Sequence, residues 1–457
     1  MIKLKIFLIS FLVYFIPFLI PGFRSVNSLS IQSEDTVPTI FTTVAIIKDK
    51  TLYLDNYYNM MLEKYPQPDD KDYAKGLTPF YLKKIENHYI TAFPIITSII
   101  SVPVFAVPLW FNMPLTWENL ALLGHLAGAL IVSLAGVFMF KTLREGFDLD
   151  EKKSAILTSV FLFGTVNFAM LSQAMWQHGT LQLFTILGIY FLLKHLKNEQ
   201  VYTNMLFSGL FLGIAFLSRP TAGLSIFFIE LYIVLANRKK LTGLINSVLT
   251  FGSGLIVAVS FFLWYNSVWF YDIKNQGYSE QLFNSWLSPF FKSFAGVWLS
   301  PAKGILVFSP VLIFSFFGLY RVIKNKIDKA GLYLIFAAII ILHTVVISFW
   351  KHWYGGWSFG YRMSSDVLPY FIFLMVPYIT SDLFTRTKKI FFILFGLSVL
   401  VEIYGMIFFD GIWHAAYDLG YDNTSWLWSF KDSPFIFDVR RVLVKLGMLE
   451  TACPKCL

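Results

Sequence analysis

Long apolar runs recur along this chain and constrain its fold more than any other feature. A run of about 20 residues is what an α-helix needs to cross the hydrocarbon core of a bilayer. Charged residues make up only 14% of the sequence, whereas soluble proteins contain about 25%. We therefore expect an all-α polytopic membrane protein with about 11 transmembrane helices. The predicted spans are 6–22, 119–140, 154–171, 179–195, 204–218, 221–236, 242–266, 303–320, 331–350, 365–381 and 388–409.

A further apolar run, 93–110, contains three prolines and need not cross the membrane. Whether it crosses decides the orientation of the rest of the chain. If it does cross, three basic loops fall outside the cell: 141–153, 237–241 and 321–329. If it lies at the interface, every basic loop falls on one side, as the positive-inside rule requires. We therefore expect an interfacial helix there, a cytoplasmic N-terminus, a long first outer loop over 23–118 and an extracytoplasmic tail over 410–457, after a transmembrane domain over 1–409.

Two adjacent carboxylates, Glu34 and Asp35, follow the first span. Asp35 or Thr36 can cap a helix, with Pro38 in its first turn. Capping needs one such side chain, however, and two acids plus a threonine exceed that need. Near a membrane surface, lower dielectric and a like-charged neighbour both make a carboxylate more basic. The pair is therefore a candidate general base, with capping as the alternative.

Three cations on the same outer face are candidates for binding an anion. Arg219 lies between two short apolar runs, where it is costly unless it pairs with an acid or faces a cavity. Lys303 begins a span, where the helix dipole disfavours a cation unless an anion binds beside it. Arg362 comes directly before another span. Guanidinium groups suit phosphate geometry, so phosphate binding is one interpretation for Arg219 and pairing with a structural acid is the other.

Aromatic residues surround these cations in the sequence. Trp176 and His178 share one short outer loop, and Trp353, Trp357 and Tyr361 accompany the glycines of GGWSFGYR. Aromatic faces suit sugar rings, and glycines allow close approach of the backbone. Anchoring at the membrane interface is the alternative for the aromatic rings, and a structural hydrogen bond is the alternative for His178.

The motifs occur in a definite order along most of the chain. They are Glu34-Asp35-Thr36, HYITAFPIITSIISVPVF (88–105), WQHG (176–179), GIAFLSRPTAG (213–223), SPAKGILVFSPVL (300–312) and GGWSFGYR (355–362). This ordered set resembles the GT-C superfamily of polytopic membrane glycosyltransferases. It is similar to bacterial members related to protein O-mannosyltransferases and to the aminoarabinose transferase of lipid A.

The resemblance implies a sugar donor on a polyprenyl phosphate and an active site on the extracytoplasmic face. It also implies an acidic catalytic residue in the first outer loop, which by position is Asp35, with Glu34 beside it. The donor phosphate would lie on the three cations, and His88 would join the four aromatic residues and His178 in binding substrate. Some members of the superfamily use a divalent metal and others do not. If Mg²⁺ or Mn²⁺ is used here, Glu34 and Asp35 would hold it.

Several alternatives and partners follow from the same features. A transporter or flippase of lipid-linked sugars would place polar groups at the bilayer midplane, whereas these charges cluster at one face. A non-catalytic envelope assembly protein would tolerate loss of Asp35. The acceptor stays open between a glycan, a lipid and a protein.

The net charge of +9 reflects short basic loops, so no nucleic acid is expected. We expect a bacterial inner-membrane location, and the terminal pair Cys453 and Cys456 has too few ligands for zinc.

Overall fold

The computed structural model describes residues 2–20, 33–65, 78–198, 201–237, 241–272, 277, 286, 288–325, 327 and 329–454. Within these ranges the chain is mostly helical, which confirms the all-α polytopic class. Six of the described helices are long and apolar enough to cross a membrane: Ile2–Leu19, Trp117–Gly146, Gln177–Lys197, Leu241–Phe270, Ala330–Phe349 and Asp382–Phe408. The total number of spans stays a prediction, and Cys456 lies outside the described residues.

The first of two compact units comprises Met1–Thr158 and Leu171–Asn284. Its helices are α1 Ile2–Leu19, α2 Val37–Lys48, α3 Tyr58–Lys64, α4 Ile96–Trp110, α5 Trp117–Lys141, α6 Glu151–Phe163 (whose last residues belong to the second unit), α7 Gln177–Lys197, α8 Tyr202–Ser218, α9 Ala222–Asn237 and α10 Leu241–Tyr265. Single π turns extend α5 over Thr142–Gly146 and α10 over Asn266–Phe270.

The predicted first outer loop also contains a β-hairpin that the helical interpretation of the sequence missed. Strand β1 (Leu82–Ile85) pairs antiparallel with β2 (His88–Thr91). A two-residue turn joins them, and Glu86 in that turn has a φ of 53°, as the left-handed turns of tight hairpins require. Each strand has four residues, which is too short for an alternating pattern to stand out.

Helix α4 occupies most of the proline-containing run that decides the predicted orientation. It begins at Ile96 rather than at residue 93 and has 15 residues. At 1.5 Å per residue this is about 22 Å, shorter than the hydrocarbon core of about 30 Å. The length is compatible with an interfacial helix, and its position relative to a membrane stays a prediction.

The second unit comprises Ser159–Met170 and Ser285–Leu457. Its further helices are α11 Phe290–Leu299, α12 Ile305–Phe308, α13 Phe314–Lys324, α14 Ala330–Phe349, α15 Leu368–Leu374, α16 Val376–Ile379, α17 Asp382–Phe408, α18 Ile412–Tyr417 and α19 Pro434–Lys445. Short 3₁₀ turns lie at Pro310–Ile313, Arg362–Val367 and Ser425–Trp428.

Two predicted spans of this unit are broken rather than continuous helices. The run 303–320 is interrupted at Pro310, which has no N–H to continue the helix. The next N–H, that of Val311, donates to Ser398 Oγ on α17 at 3.1 Å, so a side chain stabilises the break. The run 365–381 forms two short helices, α15 and α16, and each has a proline in its first turn.

Candidate functional site

Glu34 and Asp35 form, with Thr36, a single 3₁₀ turn directly before α2. The Ser33 hydroxyl accepts the Asp35 N–H at 3.4 Å and donates to Glu34 Oε2 at 3.3 Å. The Thr36 hydroxyl donates back to the Ser33 carbonyl at 2.9 Å and makes no side-chain cap on α2. The side chain that caps this turn is therefore Ser33, and both carboxylates are half-buried.

The turn rests on a rigid base, because residues 37–45 of α2 are all buried. Two reciprocal hydrogen bonds join α2 to α4: Ser98 Oγ donates to the Thr39 carbonyl at 2.9 Å, and Thr43 Oγ1 donates to the Ser98 carbonyl at 3.2 Å. Hydroxyl–carbonyl pairs of this kind hold apolar helices in register. The acid pair thus has a defined position at one end of a packed helix.

Tyr65 is a neighbour of the acid pair that sequence reasoning missed. Burial raises the pKa of Tyr65, and the negative charge of Glu34 raises it further. The phenol therefore stays neutral near Glu34 and keeps its O–H as a donor. No local signal could have found this residue, because it follows a separate helix of the same loop.

His88 has a partner within the first outer loop. Its Nδ1 lies 2.9 Å from Asp55 Oδ2, and its ring stacks on Tyr53 with 4.0 Å between centroids. Asp55 also accepts the N–H of Tyr89 at 3.1 Å. These contacts fasten strand β2 to the short 3₁₀ turn Asp55–Tyr57, which gives His88 a structural role. Its predicted contact with substrate stays a prediction.

Trp176 directly precedes α7, His178 lies in its first turn, and both side chains are buried. Their rings lie 6.4 Å apart. Arg219 directly follows α8, its N–H donates to the Ala215 carbonyl at 3.0 Å, and only 8% of its surface is exposed. A guanidinium this deeply buried at a helix end needs acceptors around it.

An apolar cavity of about 240 Å³ lies in the same unit, walled by residues on both sides of Arg219 in the sequence. It is formed by the segment before α4, the end of α8 and the end of α10. Its walls include Phe93, Ile96, Leu217, Pro220, Phe262 and Tyr265. The chemistry of this lining suits a hydrocarbon chain.

Lys303 lies in the turn between α11 and α12 and is 2% exposed. Its Nζ donates to the Gly356 carbonyl at 3.0 Å, to the Ser358 carbonyl, and to His414 Nε2 at 3.1 Å. Three acceptors match the three N–H bonds of an ammonium group. Lys303 therefore holds the glycine-rich loop, and a phosphate would reach it only in exchange for one of these bonds.

The glycine-rich loop has three left-handed residues, since φ is 76° at Gly355, 60° at Gly356 and 61° at Gly360. A Cβ on Gly355 would lie 3.1 Å from Arg362 Nε. The glycines thus provide a backbone conformation that other residues rarely adopt as well as the predicted close approach. Arg362 begins the following 3₁₀ turn and is half-buried.

The three aromatic candidates of this loop differ in exposure. Trp353 is buried and packs on Gly296, where a Cβ would lie 2.3 Å from the indole ring. Tyr361 is buried, exchanges a hydrogen bond with Ser309 Oγ at 2.7 Å, and has its pKa raised by burial. Trp357 is 42% exposed, so among these three it is the ring that a solvent-borne sugar would meet first.

His414 and Asp418 are loop partners that sequence reasoning missed. His414 accepts from Lys303, and Asp418 Oδ2 accepts the Trp357 Nε1–H at 2.9 Å. Burial lowers the pKa of His414, and the Lys303 charge lowers it further, so the imidazole is neutral. The partners lie 111 and 61 residues apart in sequence, and no local pattern connects them.

Glu402 is a fourth residue that sequence reasoning missed, and here a signal was present. It is a fully buried acid in the apolar helix α17, and its Oε2 accepts the Ala169 N–H at 3.1 Å. A lone ionisable residue inside a predicted span marks a functional or structural centre by default. In this chain it secures the π turn Asn167–Leu171.

Metal use stays a prediction for this chain. In the part of the chain that the structure describes, no group of three or more His, Cys, Asp and Glu side chains is placed to hold an ion. Mg²⁺ is often bound through one or two carboxylates together with substrate phosphate and water. Glu34 and Asp35 fit that pattern as a pair, and they would supply the protein ligands.

Comparison with known proteins supports the resemblance seen in the motifs. Residues 102–265 match the family model of dolichyl-phosphate-mannose-protein mannosyltransferases, over less than half of the chain. The matched segment contains Trp176, His178 and Arg219, and it begins after the acid pair. No match was found among curated proteins. The family match and the mostly helical fold are those expected of a membrane glycosyltransferase of the GT-C type, which the motifs resemble.

Proposed function

We propose that the chain transfers a sugar from a polyprenyl-phosphate donor to a hydroxyl group on an extracytoplasmic acceptor. The observation that carries this proposal is the half-buried Glu34–Asp35 pair, held on a capped turn above the packed helix α2. A general base must be fixed in position and still reachable by substrate. The pair meets both conditions.

The apolar cavity beside the end of α8 supports a lipid-linked donor. Its lining residues flank Arg219 on both sides, and Arg219 carries a guanidinium of the kind that binds phosphate. A cation next to an apolar cavity fits an amphiphile with an anionic head and a hydrocarbon tail. A nucleotide sugar would not use such a cavity.

The proposed reaction is a single displacement. The acceptor oxygen attacks the anomeric carbon while the bond from that carbon to the phosphate oxygen breaks. Asp35 takes the proton of the acceptor hydroxyl, and the leaving phosphate gains negative charge. Arg219 would stabilise that charge, and Arg362 and Lys303 stay predicted phosphate ligands. One displacement inverts the anomeric configuration.

The acceptor and the transferred sugar are assigned by chemical class. A glycan, a lipid or a protein could supply the acceptor hydroxyl, and the transferred sugar is a hexose or a pentose. If a divalent ion takes part, Glu34 and Asp35 would hold it, and it would help neutralise the phosphate. We further propose an inner-membrane location with the reaction on the extracytoplasmic face.

The test is sugar transfer by the purified full-length chain. We would supply radiolabelled polyprenyl-phosphate mannose, glucose and aminoarabinose in turn, with a lipid extract of the host as acceptor. Each reaction is run with EDTA and with added Mg²⁺ or Mn²⁺. Transfer from one of these donors, with inversion at the anomeric carbon, is expected. Transfer from a nucleotide sugar instead, or flipping of donor across proteoliposomes without transfer, would contradict the proposal.

A further inference from the structure

The last helix, α19, turns an apolar face away from the protein. Val439 is 55% exposed, Val442 is 40% exposed and Leu446, directly after the helix, is 66% exposed. Spacings of three and four residues place these side chains on one face. An amphipathic helix on a water-soluble surface buries its apolar face against the core. This helix buries Phe437 but leaves these three apolar side chains exposed.

The charged side of α19 faces the protein instead. Asp438 is 5% exposed. The Arg441 guanidinium lies 2.8 Å from the Asp438 carboxylate and 2.5 Å from the Asp410 carboxylate, so it links the two acids. The Tyr404 hydroxyl, on α17, contacts Asp438 and donates to the Pro434 carbonyl at 2.7 Å. These polar bonds and the buried Phe437 fasten the helix, and Val439, Val442 and Leu446 are left outside.

The attachment point is level with the end of a membrane-crossing helix. Tyr404 precedes the end of α17, at Phe408, by about one helical turn, or roughly 6 Å. The rings of Tyr404 and Phe435 lie 5.0 Å apart. On α17 itself, Ile403 and Ile407 are 38% and 48% exposed. Exposed apolar surface is thus present on both helices near the end of α17.

Cationic side chains lie at both ends of α19. Lys431 precedes the helix and Lys445 ends it, and both are exposed. An apolar face flanked by lysines is the pattern of helices that lie in the plane of an anionic bilayer surface. A second protein would need complementary acidic groups, whereas lipid phosphates provide them along the whole interface.

We propose that α19 is an interfacial helix whose occupant is the lipid bilayer. Val439, Val442 and Leu446 lie among the acyl chains near the headgroups, and Lys431 and Lys445 contact lipid phosphates. The C-terminal segment is then held by the membrane on one side and by the Asp410–Arg441–Asp438 bridge on the other. This inference does not depend on the proposed sugar transfer.

The test is nitroxide labelling of the full-length chain in vesicles containing phosphatidylglycerol. Cys453→Ser and Cys456→Ser remove the native cysteines, and single cysteines are introduced by Val439→Cys, Val442→Cys, Leu446→Cys and, as the control at a charged position that ends the helix, Lys445→Cys. At the three apolar positions, collisions with oxygen should exceed collisions with an aqueous nickel chelate. At Lys445 the ratio should be reversed.

Two outcomes would overturn the proposal. Equal aqueous access at all four positions would place the helix in water. Spin–spin broadening at Val442 that disappears on dilution with unlabelled chain would show that a second copy covers the face. All four labels lie on exposed positions, so they should not disturb folding. Each labelled protein is checked for normal elution from a size-exclusion column. Since three apolar positions are tested independently, one misfolded variant does not decide the result.

Discussion

Replacing Gly254 by alanine tests a close contact between helices α8 and α10 of the first unit. A Cβ on Gly254 of α10 would lie 2.2 Å from the Leu206 carbonyl oxygen of α8, and one on Gly209 of α8 would lie 2.0 Å from that of Phe251. Carbon and carbonyl oxygen tolerate about 3.3 Å at closest. The helices would therefore have to separate by roughly 1 Å, since backbone atoms cannot rotate away. Small residues at four-residue spacing are what allow such an approach in membranes.

The matched control is Gly252→Ala, on the same helix and two residues away. A Cβ there meets no atom within 4 Å. Both substitutions gain the helix propensity of alanine, about 1 kcal/mol, so their difference isolates packing. Overpacking costs about 1–3 kcal/mol, and Gly254→Ala should be less stable than Gly252→Ala by that amount.

The assay is reversible unfolding in mixed detergent micelles, followed by tryptophan fluorescence. The double variant Gly209→Ala with Gly254→Ala should lose less than the sum of the two single losses, because one separation relieves both clashes. Sugar transfer should also fall, since Arg219 directly follows α8. Equal stability of Gly254→Ala and Gly252→Ala would refute the reasoning.

Three further predictions concern the second unit. Gly355→Ala should lower the transfer rate more than Gly420→Ala. Both substitutions alter a left-handed glycine at a cost of about 1–2 kcal/mol, but only Gly355→Ala displaces Arg362. Initial rates compared at equal thermal stability check this prediction. Because burial lowers the pKa of His414, stability should be full above its ordinary pKa of about 6.5 and fall as the pH drops below it; His414→Gln should flatten the dependence of melting temperature on pH. Glu402→Gln keeps an acceptor for the backbone N–H and should stay within about 1 kcal/mol of wild type in unfolding free energy, whereas Glu402→Leu should lose about 1–3 kcal/mol.

The long helices could be predicted from the sequence because apolar composition is a local property. The predicted span 331–350 became Ala330–Phe349, and 179–195 became Gln177–Lys197. The breaks were harder to foresee. The interruption at Pro310 is stabilised by Ser398, whose hydroxyl accepts the Val311 N–H from 87 residues away in the sequence. A predicted span alone does not reveal a distant acceptor.

The site shows the same division between local and distant information. The acid pair is contiguous in sequence, so its presence on one turn could be predicted. Lys303 was assigned to an anion from its place at a helix start, yet its hydrogen-bond acceptors are two carbonyls and an imidazole that lie 53, 55 and 111 residues away. A buried ammonium group binds whatever acceptors the tertiary fold brings to it.

The central claim is that Asp35 is the base of a glycosyl transfer, and one comparison tests it most directly. Transfer from the active polyprenyl-phosphate donor is measured for wild type, Asp35→Asn and Glu63→Gln, an exposed acid on α3 of the same loop, after each variant elutes normally from size exclusion. We predict that Asp35→Asn loses transfer by a factor of about 100 or more, while Glu63→Gln retains it. Equal rates for Asp35→Asn and wild type would remove Asp35 from the reaction and contradict the account.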